Sequence, residues 1–204
     1  MNEFDLWREK YDTMTYKEQV EYYNDLESRY PEQAHYNYSF VSKCFEAVGT
    51  ESKVLEFGTW KGDLAKDCIP QFNVSKWLGI EICESAIEKT NCKHENFSYW
   101  FPKDFNWFET TKRDKQYDFI IATHFIEHLN DSHFDSLVEY CSGVKYIYFE
   151  APLNNEPQNW QGYQGTHKIG YGWNQIIEKL GIKGYLLHLD FGDGKFFKLN
   201  EVAE

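Results

Sequence analysis

Up to about residue 49 the chain is polar with helical spacing; beyond it, short apolar runs alternate with amphipathic stretches. Tyr16, Val20, Tyr23 and Leu26 repeat at the offsets of one helix face, Pro31 interrupts, and Tyr36 to Val48 forms a second amphipathic segment that stops at Gly49. The pattern then predicts strand 53–57, helix 62–69, strand 76–81, helix 84–90, a strand near 97–101, strand 117–122, helix 132–141 and strand 144–149. A glycine- and asparagine-rich loop over 154–170 is long enough for a lid. Helix Trp173 to Leu180 ends at Gly181, and residues 182–189 and 195–199 flank Phe191-Gly-Asp-Gly as a hairpin. This order predicts an α/β fold, a doubly wound, mostly parallel seven-stranded sheet with an antiparallel C-terminal hairpin. Residues 1–49 read as an N-terminal helical cap and 50–204 as the ligand-binding domain.

The first strand ends Val54-Leu-Glu-Phe-Gly-Thr-Trp-Lys-Gly-Asp63, an apolar run that closes on a carboxylate and enters a glycine-punctuated turn. The second, Trp77-Leu-Gly-Ile-Glu81, also closes on a carboxylate, 23 residues after Gly58. That interval, near the roughly 20 residues typical of nucleoside sites, sets Glu81 to accept from two ribose hydroxyls. A dinucleotide fingerprint would place its second glycine where Trp60 stands, and the indole disfavours a pyrophosphate. No G-x-x-x-x-G-K-[ST] loop exists either. Glu56-x-Gly58-x-x-x-Gly62 instead suits adenosine joined to a zwitterionic amino acid, with Glu56 toward the ammonium and loop amides toward the carboxylate. That ligand is S-adenosylmethionine.

Four segments in this order resemble the class I, Rossmann-like S-adenosylmethionine-dependent methyltransferases: Val54 to Gly62, Leu78-Gly-Ile-Glu81, Phe101-Pro-Lys-Asp-Phe105, and Tyr117 to Leu129 with its Glu-His-Leu ending. The resemblance covers roughly residues 50 to 190, and departs from the commoner first motif at Trp60. It implies that Asp104 contacts the adenine amino group. It also implies a cofactor site of Glu56, Gly58, Thr59, Gly62, Glu81, Ile82, Asp104, Phe105 and Thr123, and no metal.

Methyl transfer is an in-line displacement that needs alignment and, for a hydroxyl acceptor, a base. His124 and His128 follow the fourth strand and would share a face if that segment is helical; His167 lies in the 154–170 loop. His128, with His124 or His167, is expected to deprotonate or orient the acceptor. Tyr22, Tyr23, Tyr30, Tyr36, Tyr38 and Phe40 would either cap the pocket or, as helix faces usually do, pack on the sheet. Asn106, Trp107 and Phe108 stack on adenine or fill core.

Composition narrows the partners. The net charge of −12, without a Lys/Arg cluster, argues against DNA and against an anionic membrane surface. Five cysteines without C-x-x-C spacing read as reduced core thiols of a cytoplasmic protein, and no apolar stretch reaches membrane-spanning length. No Asn-Pro-Pro-Tyr tetrad for base amino-methylation and no Pro-Cys nucleophile appear. The sequence thus leads to methyl transfer onto an oxygen, before a nitrogen, of a small polar metabolite or sugar. A non-catalytic cofactor- or nucleoside-binding protein and a protein or RNA methyltransferase stay open, as does the oligomeric state.

Overall fold

The computed structural model describes residues 14–29, 36–102, 116–156 and 169–200. Helices α1 (Tyr16–Arg29) and α2 (Tyr38–Val48) precede β1 (Ser52–Phe57), α3 (Asp63–Cys68), β2 (Val74–Ile80), α4 (Glu84–Glu88) and β3 (Phe97–Trp100). Then come β4 (Phe119–Thr123), a 3₁₀ turn over Ile126–His128, α5 (Asp131–Cys141), β5 (Tyr146–Glu150), α6 (Trp173–Ile182), β6 (Tyr185–Asp190) and β7 (Gly194–Leu199).

The seven strands run in the order β3-β2-β1-β4-β5-β7-β6. The first five are parallel, and β7 enters antiparallel between β5 and β6. The expected doubly wound sheet with its C-terminal hairpin is therefore present. Strand order reverses between β1 and β4, and such a reversal opens a crevice at the carboxyl ends of the strands.

Both faces of the sheet are covered, which is why its central strands are apolar nearly throughout. On one face Leu55, Phe57, Ile120, Ala122, Ile147 and Phe149 pack with Phe134, Leu137, Val138 and Cys141 of α5 and Trp173, Ile176 and Leu180 of α6. On the other, Val54, Trp77, Phe119, Ile121, Tyr148 and Phe196 meet Val41, Cys44, Phe45 and Val48 of α2 and Leu64, Ala65 and Cys68 of α3. Fully burying an aliphatic or Phe side chain contributes about 1.5–3 kcal/mol, so these layers dominate the stability. Helix α5 is fixed at its start by Asn130, whose side chain accepts from the His133 amide at 2.8 Å. All five cysteines are buried and outside any disulfide, as expected of core thiols.

Two boundaries move. Strand β2 begins at Val74 because Ser52 pairs with it, and α6 continues through Gly181 to Ile182. Of the six N-terminal aromatics, Tyr36, Tyr38 and Phe40 lie against the α2–α3 core, whereas Tyr23 turns to the carboxyl ends of the strands, its ring edge-on to His128 at 6.3 Å. Tyr30 lies outside the described residues, as do Asn106, Trp107 and Phe108. No described helix is long and apolar enough to cross a membrane.

Candidate active site

Glu56, Glu81, Thr123, His124 and Glu150 all stand at or just past the carboxyl ends of parallel strands. The β1–α3 turn is the tightest part of this arrangement. Gly58 has φ +71° and a Cβ there would sit 3.2 Å from the Phe125 ring; Gly62 has φ +73° and would meet Phe97 at 2.8 Å. Both positions thus need glycine for backbone and for space. Trp60 takes the same left-handed region at φ 51°, a conformation that costs a residue with a Cβ about 1–2 kcal/mol. Three contacts hold it. Its amide donates to Glu81 Oε2 at 2.7 Å, its carbonyl accepts from Tyr99 at 3.1 Å, and the amide of Gly62 turns back to Thr59 at 2.9 Å.

Glu81 is buried and accepts from the Ile82 and Cys83 amides at 2.8 and 2.9 Å as well as from Trp60. Burial pushes its carboxyl above the usual range, against the pull of these three amides. A carboxylate has about four acceptor sites, so about one is left for a ribose hydroxyl, where the sequence suggested two. Ile82 therefore acts here through its amide.

Glu56 is buried and both its hydrogen bonds fall on Oε2, from the Thr59 hydroxyl and from Trp77 Nε1 at 3.0 Å. Burial pushes its carboxyl up to about 7. The stability consequence has a definite sign. An unfolded Glu56 ionises near 4.5 and the folded one near 7, so the native state binds more protons between those values and loses stability as pH rises through them. At 1.36 kcal/mol per unit the loss is about 3 kcal/mol. Urea titrations at pH 4.5 and pH 8 are expected to show it, and Glu56→Gln is expected to flatten the difference.

Past β4 the chain turns sharply. His124 has φ 48°, and its amide donates to Glu150 O at 2.7 Å. Glu150 is itself buried, and its carboxylate accepts from the Tyr148 hydroxyl at 2.7 Å and the Asn37 amide at 3.3 Å. His124 Nδ1 lies 3.2 Å from Glu127 Oε1. That hydrogen bond pushes the imidazole above its usual range despite burial. Burial works to raise the Glu127 carboxyl, but the His124 bond and the charges of His128 and His124 carry it below the usual range. His124 and His128 do not share a helical face, because the backbone is left-handed at His124 and only Ile126–His128 forms a 3₁₀ turn. Thr123 is buried at the strand end, opposite Glu150. Asp104, Phe105 and His167 lie outside the described residues.

Helix α1 spans these loops. Its Glu27, fully buried, pairs with Lys61 at 2.9 Å and Lys89 at 2.6 Å. The Asn24 side chain accepts from the Ser85 amide and hydroxyl, each at 3.1 Å, and from Cys83 Sγ at 3.4 Å. Tyr16 donates to the carbonyl of Pro102. One helix therefore touches the chain after β1, β2, β3 and β4. Sequence reasoning did not single out Glu27, Lys61 or Asn24, since no local pattern marks contacts across 34 to 62 positions. Among the described residues, no group of three or more His, Cys, Asp or Glu side chains stands where a metal ion could be held.

Comparison with known proteins fits this fold. The chain covers 89% of its length against 97% of the magnesium protoporphyrin IX methyltransferase from Synechocystis PCC 6803 with bound SAH, at 11% identity and a TM-score of 0.61. Against the N-methyltransferase NodS from Bradyrhizobium japonicum WM9 it covers 80% of itself and 94% of that chain, at 14% identity and a TM-score of 0.60. A phosphoethanolamine N-methyltransferase 2 from Haemonchus contortus, in complex with S-adenosyl-L-methionine, is matched over 67% of this chain and 34% of that one, at 15% identity and a TM-score of 0.55. These likenesses share the fold. No curated protein sequence matches. The family model described as a methyltransferase domain matches residues 27–169, more than half of the sequence, and the chain belongs to that methyltransferase family.

Proposed function

We propose that the protein transfers a methyl group from S-adenosylmethionine to a hydroxyl oxygen of a small polar metabolite. The observation that carries the choice of a small acceptor is α1. By contacting Lys61, Cys83, Pro102 and His128 it lies across the crevice, where a polymer substrate would need an open mouth.

The residues fit the cofactor. Gly58 and Gly62 let the β1–α3 turn fold tightly against Phe125 and Phe97, Glu81 would accept from the ribose, and Glu56 would face the ammonium group. Asp104 and Phe105 would meet the adenine, while Thr59, Ile82 and Thr123 line the methionine and ribose sides. S-adenosylmethionine supplies a methyl group on a positively charged sulfur. His124 takes the proton that an acceptor hydroxyl must lose as its oxygen is methylated. His128, edge-on to Tyr23 of α1, orients the acceptor, and His167 of the 154–170 loop would line the acceptor pocket. An amine acceptor carries a ready lone pair when neutral and depends less on such a base.

Glu81→Ala is expected to weaken S-adenosylhomocysteine binding by about 1–3 kcal/mol, the value of charge-assisted hydrogen bonds; calorimetry that shows unchanged affinity removes Glu81 from the site. The activity is tested by release of S-adenosylhomocysteine from the purified chain with a panel of hydroxylated metabolites, amines, peptides and RNA oligonucleotides. Turnover on a hydroxylated small molecule supports the reading. Turnover on peptide or RNA alone overturns it, and cofactor binding without turnover on any acceptor favours a binding protein.

A further inference from the structure

We propose that Glu127 is a positioning residue that grips His124 by Nδ1 and so presents the opposite ring nitrogen as the base. The inference rests on the reading of His124 given above and adds the residue through which that histidine works.

Two costly local states meet in this contact. The His124 backbone is left-handed at φ 48°, and such strain persists only where the surroundings over-determine it. Here the His124 amide is tied to Glu150 O at 2.7 Å, which fixes where the imidazole leaves the chain. Glu127 is 1% exposed, and its Oε2 is buried with no hydrogen-bond partner among the described residues. An unmet oxygen on a buried carboxylate is costly, because a charged acceptor left unpaired loses more than a neutral one. This one is anchored through its main chain, where the Ile169 amide reaches Glu127 O at 3.4 Å, and its side chain is committed through Oε1 to His124 at 3.2 Å.

The tautomer follows. Nδ1 facing a carboxylate carries the proton, so the other nitrogen keeps its lone pair for the acceptor hydroxyl. Glu150 and Asp193 also act on His124, from the β5 end and the β6–β7 turn, and His128 acts on Glu127. The hydrogen bond to Glu127 is the largest of the influences on His124.

The test follows the ring nitrogens by NMR in the isotope-labelled whole chain, as wild type, Glu127→Gln and Glu127→Asp. Glu127→Gln is expected to lower the His124 titration midpoint and to shift its neutral ring away from the Nδ1-protonated form, with His128 moving less. Glu127→Asp should restore part of both. In turnover, Glu127→Gln is expected to lower kcat by no more than the about 10²–10⁴-fold that the base itself contributes, and to move the acid limb of the pH profile lower. Added to His124→Ala it should have no further effect. If His124→Ala abolishes turnover while Glu127→Gln leaves rate and ring unchanged, the positioning role falls and the base stands. If His124→Ala leaves turnover intact, the base and with it this role both fall.

Discussion

His124→Ala is expected to lower methyl transfer to a hydroxyl acceptor by about 10²–10⁴-fold while leaving S-adenosylhomocysteine affinity within about twofold. The rate range is the usual value of a positioned general base. The selectivity follows from placement. Of the proposed cofactor residues only Thr123 lies beside it; Glu56, Gly58, Thr59, Gly62, Glu81 and Ile82 belong to the β1–α3 turn and the end of β2, and the His124 side chain is bonded to Glu127. Its side chain is 35% exposed, so truncation opens little cavity and the fold should persist. The pH profile offers a second check. A histidine held above its ordinary range must lose its proton to act, so the rate should rise with pH through a midpoint above about 6.5. Equal losses in cofactor affinity and rate would assign His124 to binding. An unaltered rate would transfer the base to another group, His128 first.

Glu27→Ala is expected to release α1 from the crevice. Breaking a buried pair by removing one partner costs about 3–5 kcal/mol, because the charge left behind stays poorly solvated. Lys61 is 9% exposed at its side chain and meets that condition; Lys89 is 55% exposed and adds less. A figure of about 3 kcal/mol is therefore expected. It should appear as undocking of one helix rather than as global unfolding, since Val54, Phe119 and the rest of that core touch α2 and α3. Hydrogen exchange should then show α1 amides near unprotected rates with β1 and β4 unchanged, together with faster release of S-adenosylhomocysteine. Protection of α1 equal to wild type would show that Tyr16 and Asn24 suffice. Acid should act in the same direction. The Lys89 and Lys61 bonds hold the Glu27 carboxyl below its usual 4.5, so the stability it contributes is present above that value and is lost as pH falls through the lowered one.

Much of the fold was legible because each buried strand is an apolar run ended by a charged or glycine-rich turn. Val54 to Phe57 and Phe119 to Ala122 could hardly be anything else, and the glycines at 58 and 62 mark the turn their geometry requires. The site was legible only in part. Glu56 and Glu81 announce themselves as carboxylates at strand ends, but nothing local says that Glu81 is already shared among three amides. The expected common face of His124 and His128 failed on one dihedral angle, which a four-residue spacing does not encode. The contacts of α1 were invisible for another reason. Glu27 reads in sequence as an ordinary solvent-facing residue of a polar helix, and only the tertiary structure buries it.

That polarity has a consequence for biosynthesis. Helix α1 leaves the ribosome before Lys61, Ser85, Lys89, Pro102 and His128 exist, so it must wait unattached while its docking sites are made. A greasy helix in that position would invite aggregation during the delay. The segment Tyr16–Arg29 is instead written almost wholly in charged, amide and tyrosine residues, a composition that tolerates water until its partners are made.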